Sequence, residues 1–231
     1  MDAKKVQLDI RLLSKTEILE WFLAMGEKKF RAKQVYEWLW QKGAHSFQEM
    51  TNLSKALREK LEAHFVINGI QEDKVQRSND GTIKSRFQLH DGHFIESVLI
   101  PVPSDKRFTV CVSSQVGCSL DCKFCATGKL KLMRNIQFDE IYDQVAIIKE
   151  QAEKHYDRPL SNIVYMGMGE PLLNYNNVLK SVELITSPEG LHMASKRITV
   201  STAGIAKMIK KLGDDEVKFN LISTLKILKW H

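Results

Sequence analysis

The sequence predicts an α/β protein that carries one helical segment and one segment of β structure ahead of its core. Three observations predict it. Residues 1–70 place apolar side chains at helical spacing, residues 71–105 alternate as strands do, and from residue 106 strand and helix follow each other in repeated βα units. Such units imply a parallel sheet with right-handed crossovers, and pattern alone leaves a barrel and an open sheet equally open. The expected division is 1–70, a helical accessory domain; 71–105, a β-hairpin extension; and 106–231, the α/β core.

In the first segment, Ser14 and Glu17 have the spacing of a capping box and lead into Ile18, Leu19, Phe22 and Leu23, with Gly26 as the stop. Ala32, Val35, Tyr36 and Leu39 mark a second helix closed by Gly43, and Ser54 opens a third through Leu57, Leu61 and Phe65. Next, Thr82–Leu89 and His93–Ile100 are two expected strands around a His90-Asp91-Gly92 turn, and Phe108–Ser113 is a third. In the core, helices are expected over Gln137–His155, Asn176–Ile185 and Ile205–Leu212, and strands over Asn162–Met166, Arg197–Ser201 and Val217–Leu221.

Composition narrows the class. The chain is 43% hydrophobic, enough for a sizeable core, and has no apolar run long enough to span a bilayer. Met1–Asp9 is charged and lacks the apolar stretch of a signal peptide, so a cytoplasmic location is expected. The net charge of +6 suits an anionic partner such as RNA, although many soluble proteins share it. Lys28, Lys29, Arg31 and Lys33 form one basic cluster, and Lys123, Lys129, Lys131 and Arg134 another; taken singly, each is read first as a solvated face.

The four cysteines, Cys111, Cys118, Cys122 and Cys125, lie within fifteen residues. Disulfides between such close neighbours would close almost no loop, which points to metal or redox chemistry. Cys118-Ser119-Leu120-Asp121-Cys122-Lys123-Phe124-Cys125 offers three thiolates in eight residues. A [4Fe–4S] cluster held by three thiolates keeps one iron open, where S-adenosylmethionine (SAM) can bind. Phe124 would then present an aromatic face near the cofactor. The alternative is a structural zinc site with Cys111 as the fourth ligand.

Three more motifs follow in order: Cys111-Val112-Ser113-Ser114-Gln115-Val116-Gly117 before the cluster, Gly167-Met168-Gly169-Glu170-Pro171 after the second core strand, and Arg197-Ile198-Thr199-Val200-Ser201-Thr202-Ala203-Gly204 at the third. With the Cys-x3-Cys-x2-Cys run, and with Phe30-Arg31-Ala32-Lys33-Gln34 leading to Trp38-Leu39-Trp40, the chain resembles the radical SAM adenine-C2 RNA methyltransferases over about residues 10–221.

The resemblance implies a partial (βα) radical SAM barrel, truncated after about the fourth strand, behind an N-terminal helical accessory domain. It implies a [4Fe–4S] cluster on Cys118, Cys122 and Cys125, and SAM held by Gly169, Glu170 and Ser201. It implies Glu96 as proton acceptor, and Cys111 as a thiol that works at the substrate and forms a transient disulfide with a methylated cysteine near the C-terminus. The substrate would be adenine in large-subunit ribosomal RNA, with tRNA a second substrate of some members, and the electron donor a flavodoxin-type reductant. Read without the resemblance, Gly167–Gly169 is a tight turn with a solvated Glu170, Ser201 an N-cap, Glu96 a solvent-facing strand residue and Cys111 a small buried hydrophobe.

After Phe219-Asn220-Leu221 the sequence departs from that pattern, and Lys226–His231 matches none of it. No cysteine follows Cys125. The expectation is therefore a shortened chain that does not turn over by itself, and the rival function is an inactive remnant that keeps cluster or RNA binding.

Overall fold

The computed structural model describes residues 7–102, 107–123 and 125–223. Phe124 and the tail from residue 224 lie outside the described residues. The chain forms two compact units: residues up to Gly69 together with Ser187–His192, and Ile70–Thr186 together with Met193 onward.

The first unit packs α1 (Lys15–Ala24), α2 (Lys29–Trp40) and α3 (Lys55–His64), and closes with a short parallel pairing of β1 (Leu8–Asp9) and β2 (Phe65–Val66). The capping box forms: Ser14 Oγ accepts from the Glu17 amide and Glu17 returns a carboxylate oxygen to the Ser14 amide at 2.6 Å. Ser54 caps α3 in the same manner. Ile18, Phe22, Val35, Leu39, Leu57 and Leu61 fill the space between the helices.

The second unit is built on one seven-stranded sheet. In chain order its strands are β3 (Gln71–Arg77), β4 (Ile83–Gln88), β5 (Phe94–Val102), β6 (Arg107–Cys111), β9 (Asn162–Tyr165), β10 (Ile198–Thr202) and β11 (Asn220–Ser223), and the spatial order is β11-β10-β9-β6-β5-β4-β3. The last four of these run parallel, and β5, β4 and β3 continue the sheet from β6 with antiparallel pairing at each step. Helices α4 (Phe138–Tyr156), α5 (Tyr175–Thr186) and α6 (Ala206–Asp214) make the crossovers. The segment expected as a β-hairpin extension is continuous with the core sheet. The hairpin expectation omitted β3, because Gln71–Arg77 is polar and every residue in it is exposed; it is an edge strand with no apolar alternation to show it. The last strand begins three residues later than expected. Val217 is still tied to the C-terminus of α6 through its amide bond to the Leu212 carbonyl.

Register fixes which face each residue occupies. Val98 lies opposite Cys111, Cys111 opposite Val164, Val164 opposite Thr199, and Ser201 opposite Ile222, so these share one face, which is open to partly open. Ile95, Leu99, Val110, Ile163, Ile198 and Val200 lie on the other and are fully buried. Period-two alternation in the sequence is what sorts them. Helix α4 contributes Ile141, Val145, Ile148 and Ala152 to the core, and it also anchors the sheet with amides: Gln144 bonds Ser97 and Ser113, and Gln151 bonds Ser85.

Candidate functional site

The chemistry-bearing residues gather at the C-terminal ends of the parallel strands, where α/β folds place their ligands. Beyond β6 the chain enters a loop whose stem is a two-residue antiparallel ladder, β7 (Gln115–Val116) with β8 (Arg134–Asn135). The loop holds Cys118, Cys122 and Cys125, shaped by the Cys118 amide on the Leu130 carbonyl (3.2 Å) and the Cys125 amide on the Cys122 carbonyl (2.9 Å). Gly117 is required at its entry: φ is +77°, and a Cβ there would stand 2.0 Å from the Lys131 carbonyl oxygen.

Beyond β9 comes Met166–Glu170. Glu170 is buried and fully oriented: Oε1 accepts from the Leu172 amide (3.0 Å) and Thr202 Oγ1 (2.7 Å), and Oε2 accepts from the Ala203 amide (2.7 Å). A carboxylate has about four acceptor positions, so three protein bonds leave one for a ligand. The cysteines, Gly169, Glu170 and Ser201 line a single cavity of about 230 Å³. Glu96 and Cys111 do not line it. Cys111 ends β6 on the partly open sheet face, diagonal across the β5–β6 pair from Glu96. The Glu96 carboxylate meets Lys84 Nζ at 3.1 Å and is partly exposed.

Electrostatics separates the thiols. Burial pushes the Cys111 thiol above its ordinary value, against a hydrogen bond from the Met166 backbone. Cys122 is also raised, by desolvation and by the negative charges of Cys118, Cys125, Asp121 and Glu170 around it. A donor set whose thiolates repel one another is stabilised by a cationic centre among them. Among the described residues no three His, Cys, Asp or Glu side chains stand close enough to share one metal ion. Cys111 stands outside the cavity that the other three line, so a four-ligand zinc site lacks the fourth ligand expected of it, and three thiolates fit a [4Fe–4S] cluster. All four cysteines are free. The disulfide expected of Cys111 has no support: no disulfide is present among the described residues, and each of the other three cysteines lines the cavity.

The model of the radical SAM superfamily matches residues 112–229. The chain belongs to that superfamily. The match covers the three cysteines, the Gly167–Glu170 loop and Ser201 together. The model of the ribosomal RNA large subunit methyltransferase N-terminal domain matches residues 8–67, the helical unit. A probable dual-specificity RNA methyltransferase RlmN of Christiangramia forsetii is 62% identical over 97% of this chain and 62% of its own length. A protein of the same name from Cytophaga hutchinsonii is 62% identical over 94% of this chain and 59% of its own length. The crystal structure of a radical SAM methyltransferase from Sphaerobacter thermophilus superposes with a TM-score of 0.83 at 36% identity, covering 94% of this chain and 63% of that one. The chain thus spans about three fifths of the length of these relatives. As a radical SAM protein it calls for a [4Fe–4S] cluster and SAM, and the cavity's donor set fits both. No helix among the described residues is long and apolar enough to cross a membrane.

Sequence reasoning missed Ser113, Gln115, Gln144 and Thr202, which hold the walls of this cavity together through the bonds described above and below. The visible signal was Ser113-Ser114-Gln115, three polar residues in a row between an apolar strand and the first ligand, all of them buried. Buried polar groups need partners. Arg134, grouped by sequence with a basic face, is instead engaged by Glu140 and Asp91.

Proposed function

We propose that this chain carries the SAM-binding and radical-generating site of an RNA methyltransferase acting at C2 of adenine, in large-subunit ribosomal RNA and in tRNA, through a methyl-cysteine intermediate. The observation that carries the reading is the convergence of Cys118, Cys122, Cys125, Gly169, Glu170 and Ser201 on one cavity. When bound, the cluster supplies the electron that splits SAM into methionine and a 5′-deoxyadenosyl radical. Radical chemistry suits the target, because C2 of adenine is electron-poor and not a nucleophile.

Around that event the protein's residues have separable tasks. Cys118, Cys122 and Cys125 would each supply a thiolate to the cluster, and Gly169, Glu170 and Ser201 would receive SAM, the remaining acceptor capacity of the Glu170 carboxylate suiting an ammonium group. Cys111, kept as a thiol by burial, and Glu96, the proton acceptor, serve the substrate on the neighbouring strands. The Glu96–Lys84 pair is exposed on both sides, so it holds Glu96 only weakly. A flavodoxin-type reductant completes the proposal as electron donor.

The test is anaerobic reconstitution with iron and sulfide, followed by SAM, a reductant and RNA fragments. SAM should be cleaved to 5′-deoxyadenosine, faster with RNA that contains an unpaired adenine than with one that lacks it. Mass spectrometry for 2-methyladenosine, with the C-terminal segment of a longer relative supplied, checks the site of transfer. No SAM cleavage under any of these conditions would sink the reading.

RNA contact by the helical unit makes a separate prediction. Lys28 and Lys29 begin α2, and its first turn has no acidic residue, an arrangement that opposes the helix dipole and suits an anion. Arg31 lies over the Phe30 ring, 4.8 Å from its centroid, and bonds the Asn52 carbonyl at 3.0 Å. Replacing Lys28, Lys29, Arg31 and Lys33 together by Gln should weaken RNA binding and flatten its salt dependence by up to about three units of log–log slope. A binding curve indifferent to salt in the parent protein would contradict this.

A further inference from the structure

Between β6 and the first cysteine, residues 112–115 are joined to the glycine loop along its whole length. The Gly167 amide bonds the Val112 carbonyl at 3.0 Å, and the Ser114 and Gln115 amides converge on the Met168 carbonyl at 2.8 and 3.1 Å. The Met168 amide bonds Ser113 Oγ at 2.9 Å. At the end of this row Gln115, almost fully buried, uses both ends of its side chain. Oε1 accepts from the Glu170 amide at 2.9 Å, and Nε2 donates to Asn135 Oδ1 at 2.8 Å. The glycine loop lies flat on that side chain: Gly169 has φ +94°, and a Cβ there would stand 2.4 Å from Gln115 Cβ.

These contacts form one line. Asn135 lies at the exit of the cysteine loop and Gln115 at its entry. Gln115 holds the backbone of Glu170, and the Glu170 carboxylate holds Thr202 and Ala203, beside Ser201. We propose that Gln115 is the positioning residue that sets Gly169 and Glu170 in register with the cysteine loop, so that SAM meets its protein contacts and the open iron at once. The proposal rests on the SAM-binding role given above. It needs an amide of this length. Methionine offers neither bond, asparagine is one methylene short, and glutamate keeps the acceptor but loses the donor.

Gln115→Met keeps the size and touches no cysteine. It should load iron and sulfide as the parent does, while SAM affinity falls about tenfold and the SAM-induced change in the EPR spectrum of the reduced cluster weakens. Gln115→Glu should fall between the two. In the metal-free protein, hydrogen exchange at the Glu170 amide should rise in Gln115→Met, a readout that needs neither cluster nor activity. SAM affinity within twofold of the parent would overturn the proposal. So would losses of cluster and SAM in equal proportion, which would mark Gln115 as merely structural. If Gln115→Met does not fold, Asn135→Ala decides, since it removes the group that orients the amide: a several-fold lower SAM affinity supports the role, and an unchanged one rejects it. A parent protein that binds no SAM would sink the functional reading, and the exchange measurement would still judge the positioning.

Discussion

Replacing any one of Cys118, Cys122 or Cys125 with alanine should leave the reconstituted protein without a [4Fe–4S] cluster, whereas Cys111→Ala should load iron and sulfide like the parent. The contrast follows from placement. The three loop cysteines line one cavity, and each must supply a thiolate to a different iron. Two thiolates would leave half of the irons without a protein ligand. Cys111 ends β6 and pairs with Val98 and Val164 instead. Its removal should cost about 1 kcal/mol of stability, the usual size for a modest change at a half-buried position. Iron and sulfide analysis, with the visible absorption band and the EPR signal of the reduced protein, reads the outcome. Loss of the cluster in Cys111→Ala would make Cys111 a ligand, and the argument for an open iron would fail with it.

The comparison of loop and strand cysteines also shows what the sequence could and could not reveal. The grouping of Cys118, Cys122 and Cys125 on one cavity was legible because residues of one loop are close in sequence, so spacing alone brings them together. Helices α4 and α5 were legible because each buries a continuous stripe at helical spacing, such as Ile141, Val145, Ile148 and Ala152. Strand β3 was not, since a polar edge strand owes its place to backbone pairing with β4, which leaves no side-chain pattern. The supports of the site were hidden for a different reason. Gln115 meets Glu170 at a separation of 55 residues, and Gln144 meets Ser113 at 31. A buried amide is recognisable only once its partners are in place. The motifs Ser113-Ser114-Gln115 and Gly167-Met168-Gly169-Glu170 were each visible, but that one lies against the other is a property of the β6–β9 pairing.

Arg134→Met should destabilise the protein by about 3–5 kcal/mol, the largest single-residue loss expected outside the apolar core. Arg134 leaves the cysteine loop at β8 and forks onto Glu140, with Nη1 to Oε2 at 2.7 Å and Nη2 to Oε1 at 2.8 Å, while Nε reaches Asp91 Oδ2 at 2.5 Å. The Glu140 side chain is 2% exposed. Removing the guanidinium leaves that carboxylate buried with only the Gln137 amide (2.9 Å) and a long contact to His90 (3.4 Å). Arg134→Lys restores charge but not the fork, so it should recover part of the loss. The pH dependence has a definite sign. Burial by itself would raise the Asp91 carboxyl, but hydrogen bonds from Arg134 and the His93 amide, and the charge of Arg134, outweigh it and hold Asp91 far below the ordinary carboxylate value. A depressed folded value means that the Asp91–Arg134 contribution is fully present above the unfolded value of about 3.9 and is lost only as pH falls through the depressed one. Urea unfolding of Asp91→Asn against the parent at pH 7 and pH 5 should therefore show the same gap, with narrowing confined to strongly acid solution; the Arg134→Met gap is read at pH 7. A gap under about 1 kcal/mol at pH 7 would show that the fork contributes no more than a surface ion pair and that the β7–β8 pairing and the Gln115–Asn135 bond hold the cysteine loop without it.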